Sequence, residues 1–353
     1  MGVVIRSMTA SWVCLLALAG GCVHAPVGAE AAGATVERVV VAMGTSLVMT
    51  VTAPTRMQAL QASEAAVQAI EVVDARLSTW RDDSELARLN RSPVWRGMGL
   101  SGALLRDLQT ARRWSRKTGR AFDPGVGALV DLYGLRTGGS WPSDQDVWAC
   151  LPHSSIQELW VIRNSATRRK ERLRIEEGGF GKGAGLDAAA RAVLSAGAIS
   201  ATFDFGGQVL HVGEQQSLRV HRIADPRDRV TPAVAVRVGN GSLATTANSE
   251  RRLQASGRDF GHILDPRTGR PAADFGSVTV FAETAFAADC LSTALFVMGP
   301  EAALVWAEQH DGIEALVIEH HGDTPRPPPL TARMTSGLRG RVSTLSPHIE
   351  IVQ

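Results

Sequence analysis

From residue 36 to residue 319 the apolar pattern switches between a period of two and a period near 3.6, and the two never alternate regularly. Residues 36–53 are rich in Val, Thr and Met and broken by Gly44, which predicts a strand pair or one bent strand. After Pro54, the positions Met57, Leu60, Val67, Ile70, Val73 and Leu77 recur at helical spacing. Ser101 can cap a second helix carrying Leu104, Leu105, Leu108 and Trp114, and Gly119 ends it. A loop is expected at residues 137–146, strands at 156–163 and 171–176, and a glycine-rich turn before a helix over 186–196. Then come a strand over 202–212, an antiparallel run at 217–223 and 233–239, and a strand at 277–282. A helix at 286–298, a helix at 300–310 and a strand at 313–319 follow. A doubly wound parallel sheet needs steady alternation. This order instead predicts an α+β fold with largely antiparallel sheets and packed helices.

A leader is expected in front of the folded part. Arg6 precedes an apolar run over residues 8–21, and Cys22 follows small residues. That run is too short to span a bilayer as a helix and suits the apolar region of an export signal. The end, Leu18 to Cys22, is similar to a bacterial lipobox, although Ala19 stands where leucine is usual. Residues 1–21 are therefore expected to be a lipoprotein signal peptide, Cys22 the lipidated residue, and residues 22–35 a flexible tether. Cleavage without lipid is the alternative. Residues 36–324 form the expected folded domain, and residues 325–353 a proline-rich, loosely held tail.

A formal charge of +2 with no long basic run argues against a nucleic-acid partner. The densest basic stretch, Arg168 to Arg174, reads as a solvated strand edge or turn. Of the four cysteines, Cys14 and Cys22 fall in the leader. Cys150 and Cys290 can pair or can be small buried hydrophobes, and no C-x-x-C spacing suggests zinc.

Three segments can carry chemistry. GGFGKGAGLD at residues 178–187 joins a predicted strand to a helix; its glycines permit close ligand approach, and Lys182 adds charge. A purely structural turn would look the same. In AADCLST, residues 287–293, Asp289 and Thr293 stand four apart and share a helical face. A carboxylate among apolar neighbours is costly unless paired or metal-bound, and magnesium is usually held by one or two carboxylates plus phosphate oxygens. Local capping by Asp289 is the competing account. HILDPRTG, residues 262–269, is an extended piece ending in a turn, where His262 can pack as readily as react. The doublet His320 and His321 reads as surface at a strand end.

Together, and in this order, these pieces resemble the ApbE family of FAD:protein FMN transferases over residues 36–320. The resemblance rests on Met43-Gly44-Thr45, on Ser78-Thr79-Trp80 with Asp83 to Leu86 and Asn90, and on Phe122-Asp123-Pro124 with Gly127. It continues through the lysine turn to Asp187, Phe205-Gly206-Gly207, residues 262–269, and the helix bearing Asp289 and Thr293. It implies that Met43, Trp80, Ala121, Phe122, Asp123, Lys182, Asp187 and Ile263 contact FAD. It further implies Mg2+ held by Asp289, Thr293 and a main-chain oxygen near Ala190, with His262 as catalytic base. The implied partners are FAD and acceptor flavoprotein subunits of membrane redox complexes, met on the periplasmic side of the bacterial inner membrane by a lipid-anchored enzyme. Three departures stand out: Ala184 replaces an aromatic, Phe260 replaces a tyrosine, and residues 247–249 read Ala-Asn-Ser in place of a Ser-Gly pair.

The implied reaction is phosphoryl transfer, with a threonine hydroxyl attacking the FMN-side phosphorus and AMP leaving. An imidazole with an ordinary pKa of about 6.5 is mostly neutral at pH 7 and can take that proton. With water as acceptor the same residues would make an FAD pyrophosphatase. A non-catalytic FAD-binding lipoprotein is the rival from another class.

Overall fold

The computed structural model describes residues 33–214, 217–320 and 329–352, apart from the side chain of Glu250. The signal segment, Cys22, nearly all of the tether and His321 lie outside the described residues. The described elements make an α+β fold around a nine-stranded sheet, as the irregular order of periods predicts. In spatial order its strands are Ala34–Ala42, Thr45–Ala53, Ser200–Phe205, Gln208–Gly213, Gly241–Ala247, Gly276–Ala282, Glu314–Glu319, Leu330–Met334 and Ile349–Ile351. Every neighbouring pair is antiparallel except the last.

The helices are α1 (Arg56–Leu77), α2 (Glu85–Arg91), α3 (Gly102–Lys117), α4 (Gly127–Leu132), α5 (Asp144–Cys150), α6 (Gly181–Ser195), α7 (Ala285–Met298) and α8 (Pro300–Glu308). Thr55 and Gln58 form a capping box on α1, and the Ser101 hydroxyl accepts from the Leu104 N–H to start α3. One face of the sheet is covered by α1, α6 and α7. A three-stranded sheet covers part of the other face; its strands are Arg219–Asp225, Asp228–Val238 and Val342–Thr344. Strand Glu314–Glu319 shows why both faces are dry: Ala315 and Val317 pack toward α7, while Leu316 and Ile318 pack toward the small sheet.

Several expectations need correction. The single strand expected over 202–212 is a hairpin, because Gly206 and Gly207 both adopt positive φ (60° and 88°) and turn the chain back. The glycine-rich turn is helical from Gly181 onward, so α6 starts five residues earlier than its apolar pattern suggests. Residues 171–176 form no strand beyond an isolated bridge at Arg174. The tail is not loose where described: Leu330–Met334 and Ile349–Ile351 extend the main sheet, and Leu330, Ala332 and Ile349 are buried in its core. Arg168 is not a solvated edge either. It is buried, donates to the carbonyls of Ser92, Glu171 and Leu173, and burial lowers its pKa to about 10. Cys150 and Cys290 are both free and buried.

Candidate functional site

Two cavities, of about 630 Å³ and about 270 Å³, border α7 at Thr293. Gly178, His262, Ile263 and Thr293 line both, so the two spaces meet at these residues. Asp289 and Lys182 line the larger one; Trp80, Ala121, Phe122 and Asp123 line the smaller.

The expected metal-ligand pair, Asp289 and Thr293, is carried by α7. Thr284 caps the helix, its hydroxyl accepting from the Ala287 N–H at 3.2 Å. The Asp187 carboxylate takes the N–H groups of Ala285 (2.8 Å) and Phe286 (3.1 Å), two further donors that the first turn would leave unpaired. Burial raises the Asp187 pKa while those bonds oppose it. One turn on, Asp289 is only 5% exposed, and its Oδ2 accepts from the Gly183 N–H at 2.9 Å. Thr293 Oγ1 donates to the Asp289 carbonyl at 3.4 Å. A carboxylate and a hydroxyl therefore face one cavity from successive turns.

Glycines make that approach possible. A Cβ on Gly183 would lie 2.4 Å from the Ala285 oxygen, so only glycine lets α6 reach α7. A Cβ on Gly179 would meet Phe122 Cε2 at 3.0 Å and Thr293 Oγ1 at 3.5 Å, filling the space beside the hydroxyl. Among the described residues no group of three or more His, Cys, Asp or Glu could hold a metal. One acid and one hydroxyl beside an open cavity suit Mg2+, which completes its shell with substrate phosphates and water. That donor set fits the implied ion.

His262 follows the ribbon Arg252–Ala255 with Arg258–Gly261. Its Nδ1 lies 3.3 Å from the Arg251 carbonyl, and a carbonyl can only accept. Nδ1 is thus the donor in that contact, which in a neutral ring leaves the lone pair on Nε2. The Asp265 side chain accepts from the Arg267 N–H at 2.8 Å and ion-pairs with its guanidinium, holding the turn that follows Ile263 and Leu264.

Other implied contacts fall into different roles. Ala190 does not line either cavity: it sits nearly two turns beyond Gly183 on α6, buried with Leu186 and Val193 in the core under the first strands. It is Gly179 that stands beside the Thr293 hydroxyl. Met43 lines neither cavity; it packs its thioether against Gly181 and Gly185 from the hairpin tip, with φ at +45°. Asp187 caps α7 as described and also lies outside both linings. Asp123 borders the smaller cavity with a carboxylate already saturated by Gly125 N–H, Ile156 N–H, the Ser155 hydroxyl and Arg120. It fixes the loop that presents Ala121 and Phe122.

Sequence reasoning passed over the residues that seat Trp80. The Arg136 guanidinium lies 4.5 Å from the centre of its ring and also pairs with Glu176 and the Thr79 hydroxyl. Glu177 in turn accepts from Thr79 N–H (3.0 Å) and Thr79 Oγ1 (2.7 Å). Burial pushes Glu176 up to about 7, against the pull of Arg136. Two adjacent acids before a Gly-Gly pair were the available signal. Two of the three departures are absorbed by packing. Beside Ala184 the rings of Phe180 and Phe286 sit 5.4 Å apart, and Phe260 packs against Trp141 and Tyr133. His320 is bonded to Asp274 at 3.3 Å and is mostly shielded, contrary to a surface reading.

Comparison with known proteins gives a consistent picture. The sequence model of the ApbE family matches residues 43–317. An FAD:protein FMN transferase of Klebsiella pneumoniae is 32% identical over 275 residues, covering 74% of this chain and 79% of that protein. One of Escherichia coli K12 is 30% identical over 266 residues, covering 72% and 76%. The crystal structure of the ApbE protein of Thermotoga maritima superimposes with a TM-score of 0.74 at 27% identity, over 81% of this chain and 94% of that one. The flavin transferase ApbE of Vibrio cholerae has a TM-score of 0.72 at 24% identity and shares the fold, over 88% and 99%.

Proposed function

This chain belongs to the ApbE family, and from that premise we propose that it is an FAD:protein FMN transferase. In this reading FMN passes from FAD to a threonine hydroxyl of an acceptor flavoprotein, and AMP is released. The observation that carries it is the meeting of His262, Asp289 and Thr293 around one cavity, with Lys182 on its wall.

Asp289 and Thr293 would hold Mg2+ together with phosphate oxygens; the ion would neutralise charge on the pyrophosphate. His262 accepts the hydroxyl proton on Nε2, its Nδ1–H held by the Arg251 carbonyl. The threonine oxygen bonds to the FMN-side phosphorus, the bond from that phosphorus to the bridging oxygen breaks, and AMP carries that oxygen away. Lys182 offsets negative charge on the departing group. Trp80, held by Arg136 at the smaller cavity, would cover an aromatic ring system of the dinucleotide. With its leader, the enzyme would be anchored by lipid at Cys22 on the periplasmic side of the inner membrane, beside the flavoprotein subunits of redox complexes.

The test is to incubate the purified protein with FAD, magnesium and candidate acceptor flavoproteins, and to seek a threonine that gains the mass of FMN. AMP release without acceptor would report hydrolysis in the same tubes. Bound FAD with neither product would leave only a flavin-binding protein.

A further inference from the structure

The larger cavity has walls of a particular kind. Strand Arg219–Asp225 is the outer member of the small sheet and, among the described residues, pairs only with Asp228–Val238. Its residues from Val220 to Asp225, six in a row, line the cavity. Side chains alternate across a strand, so consecutive residues border one space only where that space runs along the strand's edge. Along such an edge, N–H and C=O groups point outward without a ladder partner.

The facing wall is also extended backbone. Strand Gly241–Ala247 pairs with Gln208–Gly213 only through Gly241 to Leu243. From Ala244 to Ala247 it pairs, among the described residues, with Gly276–Ala282 alone, and those four residues line the same cavity. The strand thus runs on past the end of the Phe205–Gln208 hairpin, and His262 lines the same space.

We propose that Arg219–Asp225 is the docking strand for the acceptor: a segment of the acceptor protein adds to this edge in extended form and so brings its hydroxyl to His262. The inference rests on the transfer reading above. The chemistry of the occupant follows from reach. A threonine oxygen stands only two bonds from its Cα, so the acceptor backbone itself must enter the cavity where Asp289 is 5% exposed. An extended chain is thin enough to do so and can satisfy its own backbone groups on the free edge; a helix or a folded surface cannot. β-branched threonine also favours extended backbone.

The edge is held ready for this. His221 Nε2 lies 2.6 Å from His211 Nε2 on the main sheet, whose Nδ1 lies 2.9 Å from Thr202 Oγ1. Ile223 is buried in the core between the sheets. Docking therefore need not order the strand first.

The experiment uses the full-length protein with FAD and magnesium, and a peptide of about ten residues, a common strand length, centred on the threonine modified in the intact acceptor. Backbone N-methyl groups are placed one at a time along it. Methylation at every second residue should lower kcat/KM by about tenfold, the worth of one good hydrogen bond, with intervening positions changed less than about threefold. A uniform or absent effect would overturn the edge-strand assignment and leave the transferase reading standing. Transfer to the folded acceptor but not to the unmethylated peptide would also overturn it. If no acceptor threonine gains FMN at all, both readings fall.

Discussion

The backbone N–H of Gly183 donates to Oδ2 of Asp289 at 2.9 Å, tying the first turn of α6 to the second turn of α7. That bond aims the acid into the cavity and exists only because residue 183 has no side chain. In Gly183→Ala, the new Cβ would lie 2.4 Å from Ala285 O and 2.6 Å from Phe286 Cα, both main-chain atoms. The helices must separate, which should cost about 1–3 kcal/mol and disturb Asp289. Urea denaturation reads the loss; unchanged stability would mean that the contact is slack.

Asp289→Asn separates charge from shape. The amide oxygen can still accept from Gly183, so the fold should survive. Metal-assisted charge stabilisation is worth several kcal/mol, so magnesium-dependent transfer should fall at least about a hundredfold. A magnesium titration of the variant decides it. Wild-type dependence on the ion would remove Asp289 from the metal site.

His262→Ala removes the base and leaves the cavity walls. FAD affinity, followed by flavin fluorescence, should stay near that of the wild type, while transfer drops by roughly 10²–10⁴. Weak FAD binding with an unaltered maximal rate would be the opposite result, and would make His262 a binding residue only.

The His211–His221 contact gives stability a pH dependence. His211 is 2% exposed, and burial, then the charges of His221 and Arg219, lower its pKa to about 3. An unfolded histidine titrates near about 6.5, so below that pH the unfolded chain binds a proton that the native state refuses. The sign follows: this contribution is complete above about pH 6.5 and is lost as pH falls toward about 3, at up to roughly 1.4 kcal/mol per unit. His211→Gln should flatten that stretch of the profile. Thermal melts of both proteins from pH 7 to pH 4 that run parallel would show that the pair carries no proton linkage.

Most of the elements were legible because their signals are local. The period of α1, the Ser101 cap and the apolar run of α7 need nothing beyond neighbouring residues. Strand Gly241–Ala247 escaped notice because Gly, Ser, Ala and Thr carry little hydrophobic signal, although the strand is almost wholly buried. The helical state of residues 181–185 was hidden for a related reason: glycine reads as a turn unless packing pays its entropy, and here α7 supplies that packing.

The sequence by itself determined that Asp289 and Thr293 share a face, since four residues make about one helical turn wherever the helix lies. It likewise determined the order of motifs that identifies the family. Only the tertiary structure decided what stands opposite that face. It brought His262 to the same cavity from a distant ribbon, sent Ala190 into the core, and left the edge of Arg219–Asp225 unpaired among the described residues. Such relations depend on how far apart packed surfaces come to rest, and a contact like Gly183 on Ala285 fixes that distance across about a hundred residues of chain.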